Sequence, residues 1–191
     1  DLFIPGIDPF NETVNVLNEY INNNQNSSNV SDLQDIVIHL LLNSNDYSKA
    51  LKTIEGYKKI SPELENIQSQ LTYNVGFQYY EEGNYKEAIN YFKRAAENKN
   101  AKSSIKAEAL FWMADSYYRN KEENKAYKAY ITFLNEPMSS STDVYALAYY
   151  NLGYILLNNS DFANASVRFK EFLNIDKSGD KSLQCDSWLR I

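Results

Sequence analysis

Leu71 to Ala96 reads LTYNVGFQYYEEGNYKEAINYFKRAA, and this stretch decides the fold. Apolar residues recur at helical spacing on both sides of Gly83, so the stretch predicts two amphipathic helices joined by a turn. Asn84 has the side-chain oxygen that caps the start of the second helix. Gly76 and Ala88 are small, one per helix and twelve positions apart. They predict a close approach of two antiparallel backbones.

The same hairpin recurs along the chain. Aligned on Ala88, it brings Ala50, Ala126 and Ala165 into register, at spacings of 38, 38 and 39 residues. Twelve positions before each alanine stand Ile38, Gly76, Ala114 and Gly153. Four positions after each stand Ile54, Phe92, Tyr130 and Phe169. A helix–turn–helix unit repeated at fixed period predicts an all-α solenoid, an α–α superhelix in which each hairpin buries its apolar face only by stacking on its neighbours.

Val75-Gly76-x-x-Tyr79…Ala88-x-x-x-Phe92, Met113-Ala114-x-x-Tyr117…Ala126-x-x-x-Tyr130 and Tyr149-x-x-Leu152-Gly153…Ala165-x-x-x-Phe169 resemble the tetratricopeptide repeat family. The first unit departs most, with Ile38 in the small place, although Pro62 falls where that family has proline. The family's unit is about 34 residues, so each unit here carries extra length in helices or loops. The resemblance implies a right-handed array and a non-enzymatic, protein-binding role. The runs Tyr150–Gly153 and Phe169–Leu173 also look like bacterial envelope proteins with such repeats, the Tol–Pal-associated and outer-membrane assembly lipoproteins, which would imply a periplasmic or envelope location.

The 191 residues are 43% hydrophobic, 23% charged and 14% aromatic, with 16 tyrosines and a net charge of −6. An acidic chain without clustered positive charge argues against nucleic-acid binding. No apolar run reaches the ~20 residues of a membrane helix, so this stretch is not expected to insert into a membrane. The single cysteine, Cys185, excludes an internal disulfide and is expected to be a partly buried apolar residue.

In order, residues 1–30 read as a lead-in and one helix started by Asp8 and Pro9. That helix is either the second half of a preceding repeat, with Thr13 in the alanine place, or an unrelated cap. Repeats are expected over 31–68, 69–106, 107–145 and 146–180, and 181–191 as half of a fifth. Asp46, Asn84 and Asp161 are the expected caps of the second helices, and Glu122 holds that place with a poor capping side chain. With one 39-residue period beyond Tyr149, Trp188 takes the family's aromatic place and is expected to pack near Phe169 and Phe172. The array is then expected to continue past Ile191 with glycine or alanine.

No constellation for catalysis, metal or cofactor stands out. His39 is the only histidine and has no ligand partners at metal spacing, so a packed or groove-facing role is expected. Asp176–Asp180 resembles a calcium loop only in part, because Lys181 stands where that loop needs glycine. Glu81-Glu82 and Glu122-Glu123 have no apolar setting that would tune a carboxyl for acid–base work.

One pattern remains. Three before, one after and four after the small residue of each first helix lie on a single stripe. These are Tyr73, Phe77 and Tyr80, then Phe111, Asp115 and Tyr118, then Tyr150, Tyr154 and Leu157. In the family resembled, first helices line a concave surface that binds peptides. The stripe then implies an aromatic groove for a protein or peptide ligand, with Glu81, Asp115 and Arg119 as polar contacts. The same residues also suit packing between neighbouring first helices, and both readings stand at this point. A second function stands beside the scaffold: a spacer or self-assembly module forming homo-oligomers.

Overall fold

The computed structural model describes residues 9–43 and 46–191, with side chains from Glu12 onward. Asp8 and the Phe10 side chain therefore lie outside the described residues. Among the described residues there are ten α-helices and no strand. They are α1 (Pro9–Asn23), α2 (Val30–Asn43), α3 (Tyr47–Glu55), α4 (Pro62–Glu81), α5 (Tyr85–Glu97), α6 (Ser103–Arg119), α7 (Glu123–Leu134), α8 (Tyr145–Asn158), α9 (Phe162–Ile175) and α10 (Lys181–Leu189). Consecutive helices pack on one another, with the largest contacts at α4–α5, α5–α6, α6–α7 and α8–α9. A short 3-10 turn at Ser139–Ser141 touches α6, α7 and α8, and direct contact between α7 and α8 is smaller there. The expected boundaries at 68/69 and 106/107 fall inside α4 and α6. The extra length of the second unit lies mainly in α4, which starts early because Ser61 caps it and Pro62 fills its first position.

The turns inside the hairpins follow one rule. Gly83 N–H donates to the Tyr80 carbonyl (3.0 Å) and Asn84 N–H to the Tyr79 carbonyl (2.8 Å). Lys121 and Glu122 repeat this with Tyr118 and Tyr117, and Ser160 and Asp161 with Leu157 and Leu156. These are Schellman turns, and the left-handed residue sits at the same phase in each: Gly83 at φ 76°, Lys121 at 62°, Ser160 at 60°. The residue after it caps the next helix. Asp46, Asn84 and Asp161 each accept from the N–H three positions on, whereas Glu122 makes no side-chain cap bond, as expected. A left-handed lysine costs about 1–2 kcal/mol, partly offset by the lower chain entropy it has than glycine. Lys121→Gly should therefore raise stability by about 0.5–1 kcal/mol. An unchanged or lowered urea midpoint would count against this turn assignment.

The small residues act on aromatic rings. A Cβ at Gly76 would sit 3.0 Å from the Phe92 ring and 3.1 Å from Tyr91 Cβ, and one at Gly153 would sit 2.8 Å from the Phe169 ring. Glycine in the first helix thus makes room for the aromatic residue four after the alanine. In the third unit Ala114 and Tyr130 are both fully buried, and in the first the two places hold Ile38 and Ile54 in one buried cluster. The first unit accepts a large residue in the small place because its partner is not aromatic.

Three expectations are corrected. α1 buries Val14 and Ile21 against α2 while Thr13 is exposed, so the alanine place does not fall on Thr13. Cys185 is exposed. Trp188 is 67% exposed and does not pack on Phe169 and Phe172, whose rings face Tyr150 and Tyr154 instead. Asp180 caps α10 through the N–H groups of Ser182 and Leu183. With that start, Asp186 and Ser187 turn toward α8 and α9, and the next position, about 100° further round the helix, points away.

Candidate functional site: the face of the first helices

α4, α6, α8 and α10 are the first helices of successive units, and one face of them carries the candidate residues. Tyr73, Phe77 and Tyr80 form a ladder along α4, with ring centroids 6.4 and 5.9 Å apart. Tyr73 leans on Phe92 of its own hairpin, as Tyr150 leans on Phe169 and Phe172 of its own. Phe111, at the same place in α6, is fully buried among Trp112, Tyr130 and Phe133. The place three before the small residue therefore points into the hairpin. Phe111 offers no surface to a partner, which removes it from the expected groove.

Trp112 takes its role, and the stripe omitted it. Its ring meets Phe77 and Tyr80 edge-on, each at 5.0 Å between centroids, and so joins α6 to α4. Asn151 stands in the same place in α8, two before the small residue, and also reaches back one unit, to Asp115 and Tyr130. The signal in the sequence was the indole beside Phe111. The stripe excluded it because two adjacent residues on a helix lie about 100° apart.

Asp115 is the centre of the face. It is 6% exposed, and Tyr80 and Tyr130 donate their hydroxyls to it (2.5 and 3.1 Å), Asn151 its amide (3.3 Å) and Arg119 its Nε–H (2.6 Å). One carboxylate so joins three successive units. Burial, and then the adjacent Asp115, push the Tyr80 phenol above its ordinary value. Burial likewise raises Tyr130 well above it. At Arg119 burial works against the charge, but the bond and charge of Asp115 outweigh it and raise the pKa. Arg119 lies over the Tyr80 ring at 5.2 Å, with its side chain 51% exposed. Tyr118 is half-buried and Glu81 is exposed at the end of α4.

The arrangement recurs at α10. Tyr150 donates to Asp186 at 3.0 Å, Tyr154 donates to the same oxygen, and Arg190 pairs with Asp186 and covers the Tyr154 ring at 5.4 Å. Tyr150 and Tyr154 are thus engaged by the following helix. The bond from Tyr154 first, then those from Tyr150 and Arg190, hold the Asp186 carboxyl below its ordinary value of 3.8 against the opposing effect of burial. A depressed folded pKa stabilises the fold when the group is charged. The contribution is complete above the unfolded value and is lost as pH falls through the lower folded one. Asp176 has the same sign: burial opposes it, and bonds from Ser178 and Gln184 outweigh burial. Protection of the Lys181–Leu189 amides, relative to their intrinsic exchange rates, should therefore fall below about pH 4, before that of α4 and α5, and Asp186→Asn should remove most of that dependence. Protection in α10 that does not change with pH would refute the clasp.

Among the described residues no group of three His, Cys, Asp or Glu side chains is placed to hold a metal ion, and no helix is long and apolar enough to cross a membrane.

Helical hairpins stacked in phase, with first helices joined by an aromatic and acidic face, define a repeat scaffold. Residues 70–102 and 146–178 match one tetratricopeptide repeat model and residues 108–136 another, and these hairpins are tetratricopeptide repeats. Such repeats serve in general as non-enzymatic protein–protein interaction scaffolds. Among solved structures the chain is similar to BtubC (BKLC) from P. vanneervenii, at 15% identity and TM-score 0.58, covering 95% of this chain and 78% of that one. It is also similar to the apo form of RapI, at 14% identity and TM-score 0.60, covering 94% and 52%. A third is MamA from Desulfovibrio magneticus RS-1, at 16% identity and TM-score 0.52, covering 91% and 89%. At these identities the likeness is one of fold. No curated relative matches significantly. None of these matches is an envelope lipoprotein, so that subtype is not supported.

Proposed function

We propose that this chain is an interaction scaffold that takes a peptide segment of a partner protein across the face of α4, α6 and α8. The observation that carries this reading is Arg119. Its Nε is fixed to Asp115 and its plane lies over Tyr80, while half of the side chain faces solvent. An ordered guanidinium loses little entropy when it binds an acceptor, and arginine beside tyrosine and tryptophan is the composition of interface hot spots. Tyr118 precedes it in α6 and Glu81 follows Tyr80 in α4, while Phe77, Trp112 and Tyr80 supply the apolar wall. Tyr73 is held against Phe92, and Tyr150 and Tyr154 are held by Asp186 of α10.

Peptides selected against the chain from a random display library provide the test. Arg119→Gln and Tyr118→Ala should each weaken the selected peptides tenfold or more, a loss of about 1.4 kcal/mol. Glu97→Gln, exposed at the end of α5, should change nothing. Peptides that bind all variants alike would show that the partner surface lies elsewhere.

A further inference from the structure

α1 and α10 each bury one side and leave an apolar stripe on the other. α1 turns Val14 and Ile21 inward, against α2. Glu12, Val16, Glu19 and Tyr20 share its opposite face, because residues four, seven and eight apart lie on one side of a helix. Val16 is 60% exposed and Tyr20 42%. α10 turns Asp186 and Ser187 toward α8 and α9. Lys181, Cys185, Trp188 and Leu189 share its outer face and are all exposed, Leu189 at 85%. Terminal units of repeat arrays ordinarily turn a polar face outward, and these two do not. We infer that a second copy of this chain covers both stripes: α10 of one copy packs on α1 of the next.

Two observations choose this occupant. The first is the place of each helix in the repeat. α4, α6 and α8 each pack on the second helix that follows, and the outer side of α10 is where such a helix lies. α1 already packs on α2 as α5 packs on α6, which is how a second helix meets the next unit. α1 of a second copy therefore fits the outer side of α10. The second observation is charge. The first lysine or arginine in the chain is Lys49, so α1 and α2 carry neither, against four carboxylates at Glu12, Glu19, Asp32 and Asp35. At the other end Lys177 and Lys181 are exposed, while Asp176, Asp180 and Asp186 are taken up by bonds within that end. Antiparallel pairing, the direction of the hairpins in this array, brings Lys181 to Glu19 and lays Trp188 and Leu189 against Val16. The two surfaces differ, so the contact is heterologous and repeats into open chains instead of closing as a pair. Two short helices make a contact of the small, transient class, below about 1,200 Å², so a dissociation constant on the order of 100 µM is expected.

Sedimentation velocity of the chain across a concentration series, with a reductant keeping Cys185 a thiol, tests this. Mass action should convert monomers into a graded series of larger species as concentration rises. Trp188→Arg and Val16→Arg change exposed side chains and should each weaken association tenfold or more with the helical circular dichroism unchanged. Mixed together, these two variants retain one intact α1 and one intact α10 between them, so they should form one-to-one dimers and nothing larger. Glu19→Lys should weaken association threefold or more, and adding Lys181→Glu in the same chain should restore it. Arg119→Gln lies outside both stripes and should leave association unchanged, which keeps this outcome separate from the peptide test. A chain that stays monomeric at about 1 mM would mean that something other than a second copy covers α10, and would overturn the inference. So would either arginine variant associating like wild type, or a mixture of the two that stays monomeric.

Discussion

Gly153→Leu should lower stability by about 3 kcal/mol, on the order of 6–10 °C in melting temperature for a chain of this size. Even a Cβ at this position would stand 2.8 Å from Cε1 and Cζ of the Phe169 ring and 3.0 Å from its Cε2. That ring cannot swing aside. It is fully buried, and Tyr150 and Tyr154 meet it edge-on at centroid distances of 5.8 and 5.4 Å. Gly153→Ala separates two effects. Alanine gains about 1 kcal/mol of helix propensity over glycine. The ring contact offsets this gain, so alanine should end near neutral, and leucine, with three more carbons, should not. Gly76→Leu should follow the same direction with a smaller loss, since its ring contact is 3.0 Å. A leucine variant that melts with the wild type would show that α8 and α9 do not pack through Phe169.

Asp115→Ala should cost about 2–4 kcal/mol, although the residue touches no apolar core directly through its carboxylate. The ion pair with Arg119 is a minor part of this, because a half-exposed arginine is screened by solvent. The larger part comes from Tyr130, fully buried, and Asn151, which both lose their shared acceptor, and from Tyr80, whose hydroxyl turns toward the same carboxylate. Asp115→Asn keeps one acceptor oxygen and should cost less, so the difference between the two variants reports the charge. A double-mutant cycle with Tyr130→Phe should show coupling above 0.5 kcal/mol, the range for residues in one hydrogen-bond network. Additive losses, or an alanine variant within about 0.5 kcal/mol of wild type, would mean that the three units are not joined through Asp115.

The face around Asp115 was only partly legible beforehand. Periodicity identified the helices and the face on which Tyr80, Asp115 and Arg119 lie. It could not tell that Phe111 turns into its own hairpin while Trp112 reaches α4. Two neighbouring aromatics on one helix differ by a rotation, and the helix's roll decides which of them meets the next unit.

The sequence by itself determined the all-α repeat, the phase of its small and aromatic places, and the caps at Asp46, Asn84 and Asp161. Each of these rests on interactions between residues close in the chain, and their spacing is written in the order of residues. Only the tertiary structure decided that Asp115 and Asp186 gather tyrosines from neighbouring units, that Lys121 and Ser160 adopt the conformation Gly83 makes easy, and that Trp188 faces solvent. Those outcomes depend on the roll and offset of one hairpin against the next. These are set by the sum of many side-chain contacts across 30 to 40 residues, and no local pattern encodes that sum.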